Sequence, residues 1–216
     1  MKKSHLGLAL LLLVLVAAGC DWRGIRGNGH LKTEQRPVNY FTRIDAGGFY
    51  DIQWSPGAPS LSITTDENLL SHIETGTSGS ALRIEIRDTI APTKGIKVVI
   101  TSRSLGGAEL SGALRFAAAP LSGDRFTLDT SGASKVTLTG QVNKLVASLT
   151  GASALKAESL QTADVEISVT GAGRADIFAT NSVQAAITGA GKVSYGGNPK
   201  SVQKKVTGAG KISPRH

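Results

Sequence analysis

Between residues 110 and 210 one four-residue motif recurs six times: Leu110-Ser-Gly-Ala, Thr130-Ser-Gly-Ala, Leu149-Thr-Gly-Ala, Val169-Thr-Gly-Ala, Ile187-Thr-Gly-Ala and Val206-Thr-Gly-Ala. Its glycines, Gly112, Gly132, Gly151, Gly171, Gly189 and Gly208, follow one another at intervals of 20, 19, 20, 18 and 19 residues. A fixed period of this length belongs to a solenoid, whose repeating unit buries its apolar face only by stacking on the next. Inside each period apolar residues alternate, as in Phe126 and Leu128, Val136 and Leu138, or Val165, Ile167 and Val169. Period two marks strands. A helical repeat would space its apolar residues at three and four and would avoid so much Gly, Thr and Val. The expected fold class is all-β, a parallel β-helix or β-solenoid with coils of about 19 residues, neighbouring strands lying about 4.8 Å apart.

Each motif position has a steric reason. Glycine permits a positive φ at a coil corner, and the alanine after it (Ala113, Ala133, Ala152, Ala172, Ala190, Ala209) fits crowded stacking. The residue before it is always a hydroxyl (Ser111, Ser131, Thr150, Thr170, Thr188, Thr207). Stacking predicts a structural ladder of mutually hydrogen-bonded neighbours, with a flat hydroxyl surface for a crystalline or polymeric ligand as the alternative. The third residue after each glycine is Arg115, Lys135, Ala154, Arg174, Lys192 and Lys211, five of the six basic. In register these form a column whose like charges repel unless they splay into water or meet an anion. One reading is a solvated face that keeps flat strands from pairing laterally. The other is an anion-binding stripe of Arg115, Lys135, Arg174, Lys192 and Lys211, weakened by salt.

The N-terminus reads as an export signal: Lys2 and Lys3, an apolar run from Leu6 to Ala18, then Gly19 before the only cysteine, Cys20. The run is shorter than the roughly 20 residues of a bilayer-spanning helix, so cleavage is expected. Val16-Ala17-Ala18-Gly19-Cys20 resembles a bacterial lipobox, with Ala17 where leucine is more usual. That resemblance implies acylation of the Cys20 thiol, with chains such as palmitate, and anchoring to a membrane. Asp21, by resemblance to enterobacterial lipoproteins, implies inner-membrane retention, while other lineages sort differently, so the membrane is left open. Removing residues 1–19 leaves 197, and the net charge falls from +8 to +6 with the loss of Lys2 and Lys3. One cysteine allows no internal disulfide, so burial and backbone pairing must hold the fold. A basic balance fits nucleic acid, but an exported chain points instead to anionic envelope polymers or headgroups.

The chain divides into a signal (1–19), a linker after lipidated Cys20 (20–35), a β-rich part (36–107) and the repeats (108–216). In the β-rich part strands are expected over 49–54, 61–65, 82–86 and 96–100, separated by turn residues. This part caps or continues the stack. Residues 66–73 are the one plausible helical turn, with Asp66 as its cap and its apolar residues over the open end. At the far end Pro214, Arg215 and His216 suit blunting of an exposed edge. The run Phe41-Thr-Arg-Ile44-Asp-Ala-Gly-Gly-Phe-Tyr-Asp51-Ile-Gln-Trp54, then Asp66-Glu-Asn-Leu-Leu70, then the repeated Ser/Thr-Gly-Ala resembles the auto-transporter adhesin head domain family, also called the head GIN domain, over roughly residues 36–213. The resemblance implies a β-helical envelope protein and supplies no catalytic residues.

The residues offer little chemistry of their own. His30, His72 and His216, the histidines after the signal, have no paired spacing, so no metal site and no cofactor are expected. His72 is the only interior candidate for a hydrolytic base and reads as a half-exposed turn residue. Asp124, Asp129, Asp164, Glu166 and Asp176 stand at different phases relative to the glycines, so no acidic row of the glycan-cleaving kind is expected among them. Gly24-Ile-Arg-Gly27-Asn-Gly29 lacks the strand and helix of a phosphate-binding loop and reads as linker. The function expected is an envelope-anchored, non-enzymatic binding or adhesion module for anionic glycans or other envelope polymers. An assembly protein docking an envelope partner is the alternative, and a glycan-active β-helix enzyme the third reading; no nucleic-acid partner is expected.

Overall fold

A computed structural model of the protein describes residues 24–215. The expected signal at 1–19, Cys20, Asp21 and His216 lie outside the described residues. Among those described, strands are joined by turns and one short 3-10 helix, Glu67–His72. No helix among them is long and apolar enough to cross a membrane.

The stack is not laid down in chain order. Arg43–Gly48 leads into a corner and Asp51–Pro56 leaves it, making one coil. Ala81–Ile86 and Lys97–Ser102 lie parallel on one side of that coil, Leu82 opposite Ile44 and Val98 opposite Ile52. The chain then crosses to the other side, where Gly107–Gly112 and the start of Arg115–Gly132 stack, Gly112 opposite Gly48 and Arg115 opposite Asp51. From there each coil lies on the last in sequence order: Lys135–Gly151 and Ala154–Gly171 run through both sheets, and Ser182–Gly189 and Ser201–Gly208 continue the entering sheet. Arg174–Phe178, Lys192–Gly196 and Lys211–Pro214 extend the leaving sheet. The six motif glycines stand opposite one another throughout, as their spacing predicts.

Alternation places one side chain in two inside. On the entering sheet Leu82, Ile44, Ala108, Leu128, Ala147, Ile167 and Ala185 form one buried column. Its large and small residues alternate over much of its length, which lets successive layers interdigitate. Phe41, Phe116 and Phe126 are also wholly enclosed.

The N-terminal part both continues the stack and caps it. Ser60–Asp66 and Ile73–Ser78 pair antiparallel with Lys97–Ser102 and Ala81–Ile86, so parallel stacking ends there. Leu69 and Leu70 of the 3-10 helix are buried at this end. Asp66 precedes the helix but makes no capping hydrogen bond with its side chain. Its carboxylate instead accepts from the Gly29 N–H at 2.7 Å, the Thr93 N–H at 2.8 Å and the Thr93 hydroxyl at 2.8 Å.

The linker expected at 20–35 is corrected over its described part, 24–35. Ile25–Arg26 pairs with Ile90–Ala91, and Leu31–Arg36 pairs antiparallel with Ser60–Asp66. Its polar sequence reads as linker because this outer strand is exposed along most of its length and has no apolar face to reveal it. The hydroxyl ladder is corrected too. The six residues are in register, but all are exposed and no hydrogen bond joins neighbouring hydroxyls among the described residues. The corner is held by backbone instead: Ala133 donates to Gly112, Ala152 to Gly132 and Ala172 to Gly151, at 2.8 to 2.9 Å.

Gly151 has φ +93°, and a Cβ there would lie 2.5 Å from the Gly132 carbonyl oxygen. Gly151→Ala is therefore expected to cost about 3 kcal/mol, whereas Gly76→Ala, with nothing within 4 Å of the new carbon, stays within about 0.5 kcal/mol; urea unfolding of both variants checks the contrast. At Asp66, burial raises the carboxyl pKa, but the hydrogen bonds from Thr93 and Gly29 outweigh it and hold the group below its ordinary value. The stabilisation is then full above the unfolded value of about 3.9 and is lost as pH falls through the lower folded value. Asp66→Ala, which leaves three donors without a partner, is expected to cost about 2 to 3 kcal/mol at neutral pH. That difference should shrink in acid, as thermal unfolding between pH 7 and 2 would show.

Candidate functional site

Register turns the spacing of the basic residues into geometry. Along the leaving sheet, position by position, stand Lys97, Asp51, Arg115, Lys135, Ala154, Arg174, Lys192 and Lys211. All five residues of the expected stripe fall on this one line and are exposed. The sequence reading missed Lys97, because the register that adds it crosses from a coil laid down earlier in the chain. The coil that carries Ala154 has Lys156 two residues further along the same outward face, opposite Asp176. No residue of this line forms an ion pair among the described residues. On the entering sheet, by contrast, two ion pairs form: Arg83 lies 3.3 Å from Asp45, and Lys144 lies 3.0 Å from Glu166. Unit charges about 5 Å apart repel by under about 1 kcal/mol in water, so the row is tolerable, yet it gains free energy from any anion that spans it.

One end of the line opens into a groove of about 570 Å³, lined by Phe49, Asp51, Lys94, Lys97, Arg115 and Lys135 among others. Its wall comes from an irregular corner. From Gly47 to Asp51 the chain takes four residues, but from their counterparts Glu85 to Lys97 it takes twelve. The longer connection brings Lys94 and Gly95 against the stack. The floor is backbone, with Asp51 donating to Ile96 at 2.9 Å, Arg115 to Tyr50 at 2.8 Å and Lys135 to Leu114 at 2.8 Å.

Asp124, Asp129, Asp164, Glu166 and Asp176 do not share a row, as their phases predict. Asp129 does stand in line with Glu109 and Asp45 from the preceding coils. That short acidic row was missed because Asp45 lies outside the repeats. No group of three potential metal ligands occurs among the described residues. His72 Nδ1 lies 2.7 Å from Asp88 Oδ2, and no serine hydroxyl completes a hydrogen-bonded triad with it among the described residues.

Residues 40–199 match the family described as "Putative auto-transporter adhesin, head GIN domain". Solved structures agree on the fold. A "putative adhesin" from Bacteroides fragilis superposes with TM-score 0.68 at 24% identity, covering 89% of this chain and 100% of its own. A "putative adhesin" from Parabacteroides merdae gives 0.59 at 22%, covering 89% and 99%. A "putative lipid binding protein" from Parabacteroides distasonis gives 0.57 at 21%, covering 90% and 100%. No curated protein matches this chain.

If the column is a row of uncompensated charge, filling its gap should make the repulsion measurable. Ala154→Lys is expected to lower stability by about 0.5 kcal/mol at low salt, and 0.5 M salt should erase most of the loss. Paired urea titrations at the two ionic strengths test this.

Proposed function

The chain belongs to the auto-transporter adhesin head GIN domain family, and from that premise we propose that it is an envelope-facing, non-enzymatic binding module whose ligand is an anionic envelope polysaccharide. The observation that carries this reading is the basic line of Arg115, Lys135, Arg174, Lys192 and Lys211, without an ion pair among the described residues, extended past Asp51 by Lys97 and ending in the groove. A rigid sheet presents its charges at fixed intervals, so a polyanion engages several of them for one loss of translational freedom. Each contact is weak and screened, while the sum is not. A solvated face that merely prevents lateral pairing needs lysines on edge strands, whereas these basic residues sit mostly on strands already paired on both sides. The lipobox-like sequence before Cys20 supports a lipid anchor that would hold the module at a membrane surface.

Co-sedimentation with insoluble acidic polysaccharide, using the whole chain in non-ionic detergent, tests the reading. Binding is expected at low salt, with at least a tenfold loss of affinity when Lys135, Arg174 and Lys192 are changed to glutamate, and with weakening as salt rises towards physiological strength. Equal binding by the triple variant would refute it.

A further inference from the structure

Resting on that reading, we propose that the groove at the head of the basic line is a subsite for a single acidic sugar unit, a pyranose ring bearing one carboxylate or phosphate, at the end of the polymer. Three features of the groove each answer to a different part of such a ring, and the first two have no counterpart elsewhere on the line.

The first is Phe49. Gly48 and Asp51 align with Gly112 and Arg115, so Phe49 holds the corner position that Ala113, Ala133, Ala152, Ala172, Ala190 and Ala209 hold in the later coils. An exposed strip of methyl groups thus ends at one aromatic ring, which stays 37% exposed on the groove. A simple anion gains nothing from it, but the apolar C–H face of a pyranose can cover it and bury area on both partners. The second is Asp51, the only carboxylate lining the groove among the described residues. Its strand neighbours are Lys97 and Arg115, yet it forms an ion pair with neither among the described residues. A site meant only for phosphate would exclude this group. An ionised carboxylate is a pure acceptor, and the donors it suits are ring hydroxyls. The third is the set of four bases, Lys94, Lys97, Arg115 and Lys135, placed to take the acidic substituent by charge-assisted hydrogen bonds.

The irregular corner gives the subsite its depth and its polarity. Lys94 and Gly95 wall it on the side of the antiparallel cap, while the side towards Lys135 lies open along the basic line. A ligand chain would start at the groove and run up the column.

Calorimetric titration of the whole chain in non-ionic detergent tests this, with galacturonic acid and glucose 1-phosphate as probes and galactose and inorganic phosphate as controls. At least one acidic sugar is expected to bind ten times more tightly than either control, and the better of the two names the acidic substituent. Phe49→Ala should weaken the acidic sugar at least fivefold and leave inorganic phosphate unchanged. Asp51→Asn should weaken the acidic sugar but strengthen inorganic phosphate, because it removes a negative charge. If Asp51→Asn strengthens both, or if inorganic phosphate binds as well as the sugars, the groove is a charged surface only and the proposal falls. Arg174→Glu combined with Lys192→Glu lies outside the groove and separates the two ideas. Polymer binding lost with single-sugar affinity intact supports both; single-sugar binding to a protein with no affinity for any polymer overturns the reading of the line and leaves the subsite standing. Unchanged circular dichroism shows that each variant is folded.

Discussion

The close approach of one corner backbone to the next governs the molecule. At Gly132, Gly151, Gly171, Gly189 and Gly208 a Cβ would come within 2.5 to 2.7 Å of the carbonyl oxygen of the corner glycine in the coil below. Any other residue must push the coils apart or twist the corner, and each corner also carries positive φ. The alanine N–H that follows Gly132, Gly151, Gly171 and Gly189 donates to the same carbonyl, so at these corners contact and hydrogen bond together lock one coil to the next. Side-chain period two makes a slip of one residue turn every strand inside out. The corner forbids that slip.

Locked register is also what turns spacing in the sequence into geometry on the surface. Residues about 19 apart become neighbours, and a position repeated in sequence becomes a line on the surface. The interior uses the same rule with different chemistry. Its columns carry mostly Leu, Ile, Val, Phe and Ala, and the exceptions are informative: Thr130 replaces an aliphatic residue in the column of Leu110 and Leu149, and its hydroxyl has no partner among the described residues. At the last coil the inward positions are Val202, Lys204 and Val206, and Lys204 reaches over the Tyr195 ring with its Nζ 5.0 Å from the centroid. The core there gives way to amphipathic cover, an outcome that the expected blunting by Pro214 and Arg215 only partly anticipates.

The repeats were legible in the sequence because their physics is local and periodic: glycine for the corner, alternation for the strand, a basic residue three places on. What was hidden is whatever interrupts the period. Leu31–Arg36 pairs along its whole length yet has no apolar face, so its composition resembles a linker. Asp66 carries the signature of a helix cap, but Gly29 and Thr93, far away in sequence, compete successfully for its oxygens. The hydroxyl positions align as expected, yet their side chains face water, and the bonds attributed to them belong to the backbone. The acidic line of Asp45, Glu109 and Asp129 and the groove below Arg115 both need the coil of residues 43–56, which is inserted between coils that follow it in the chain.

That insertion order has a consequence for how a solenoid acquires direction. A stack of equivalent coils offers the same contacts at every level, so a polymer bound along it could slide or reverse at little cost. Here the regular coils meet a cap built from antiparallel strands, and the cap can be made only by chain that departs from the repeat. The departure at residues 87–96 leaves a concave corner where the repeat would have left a flat one. Stability and the proposed recognition therefore draw on the same irregularity: the edge that must be closed against aggregation is also where the surface stops being periodic, and a non-periodic point on a periodic track would fix the position and direction of anything bound along it.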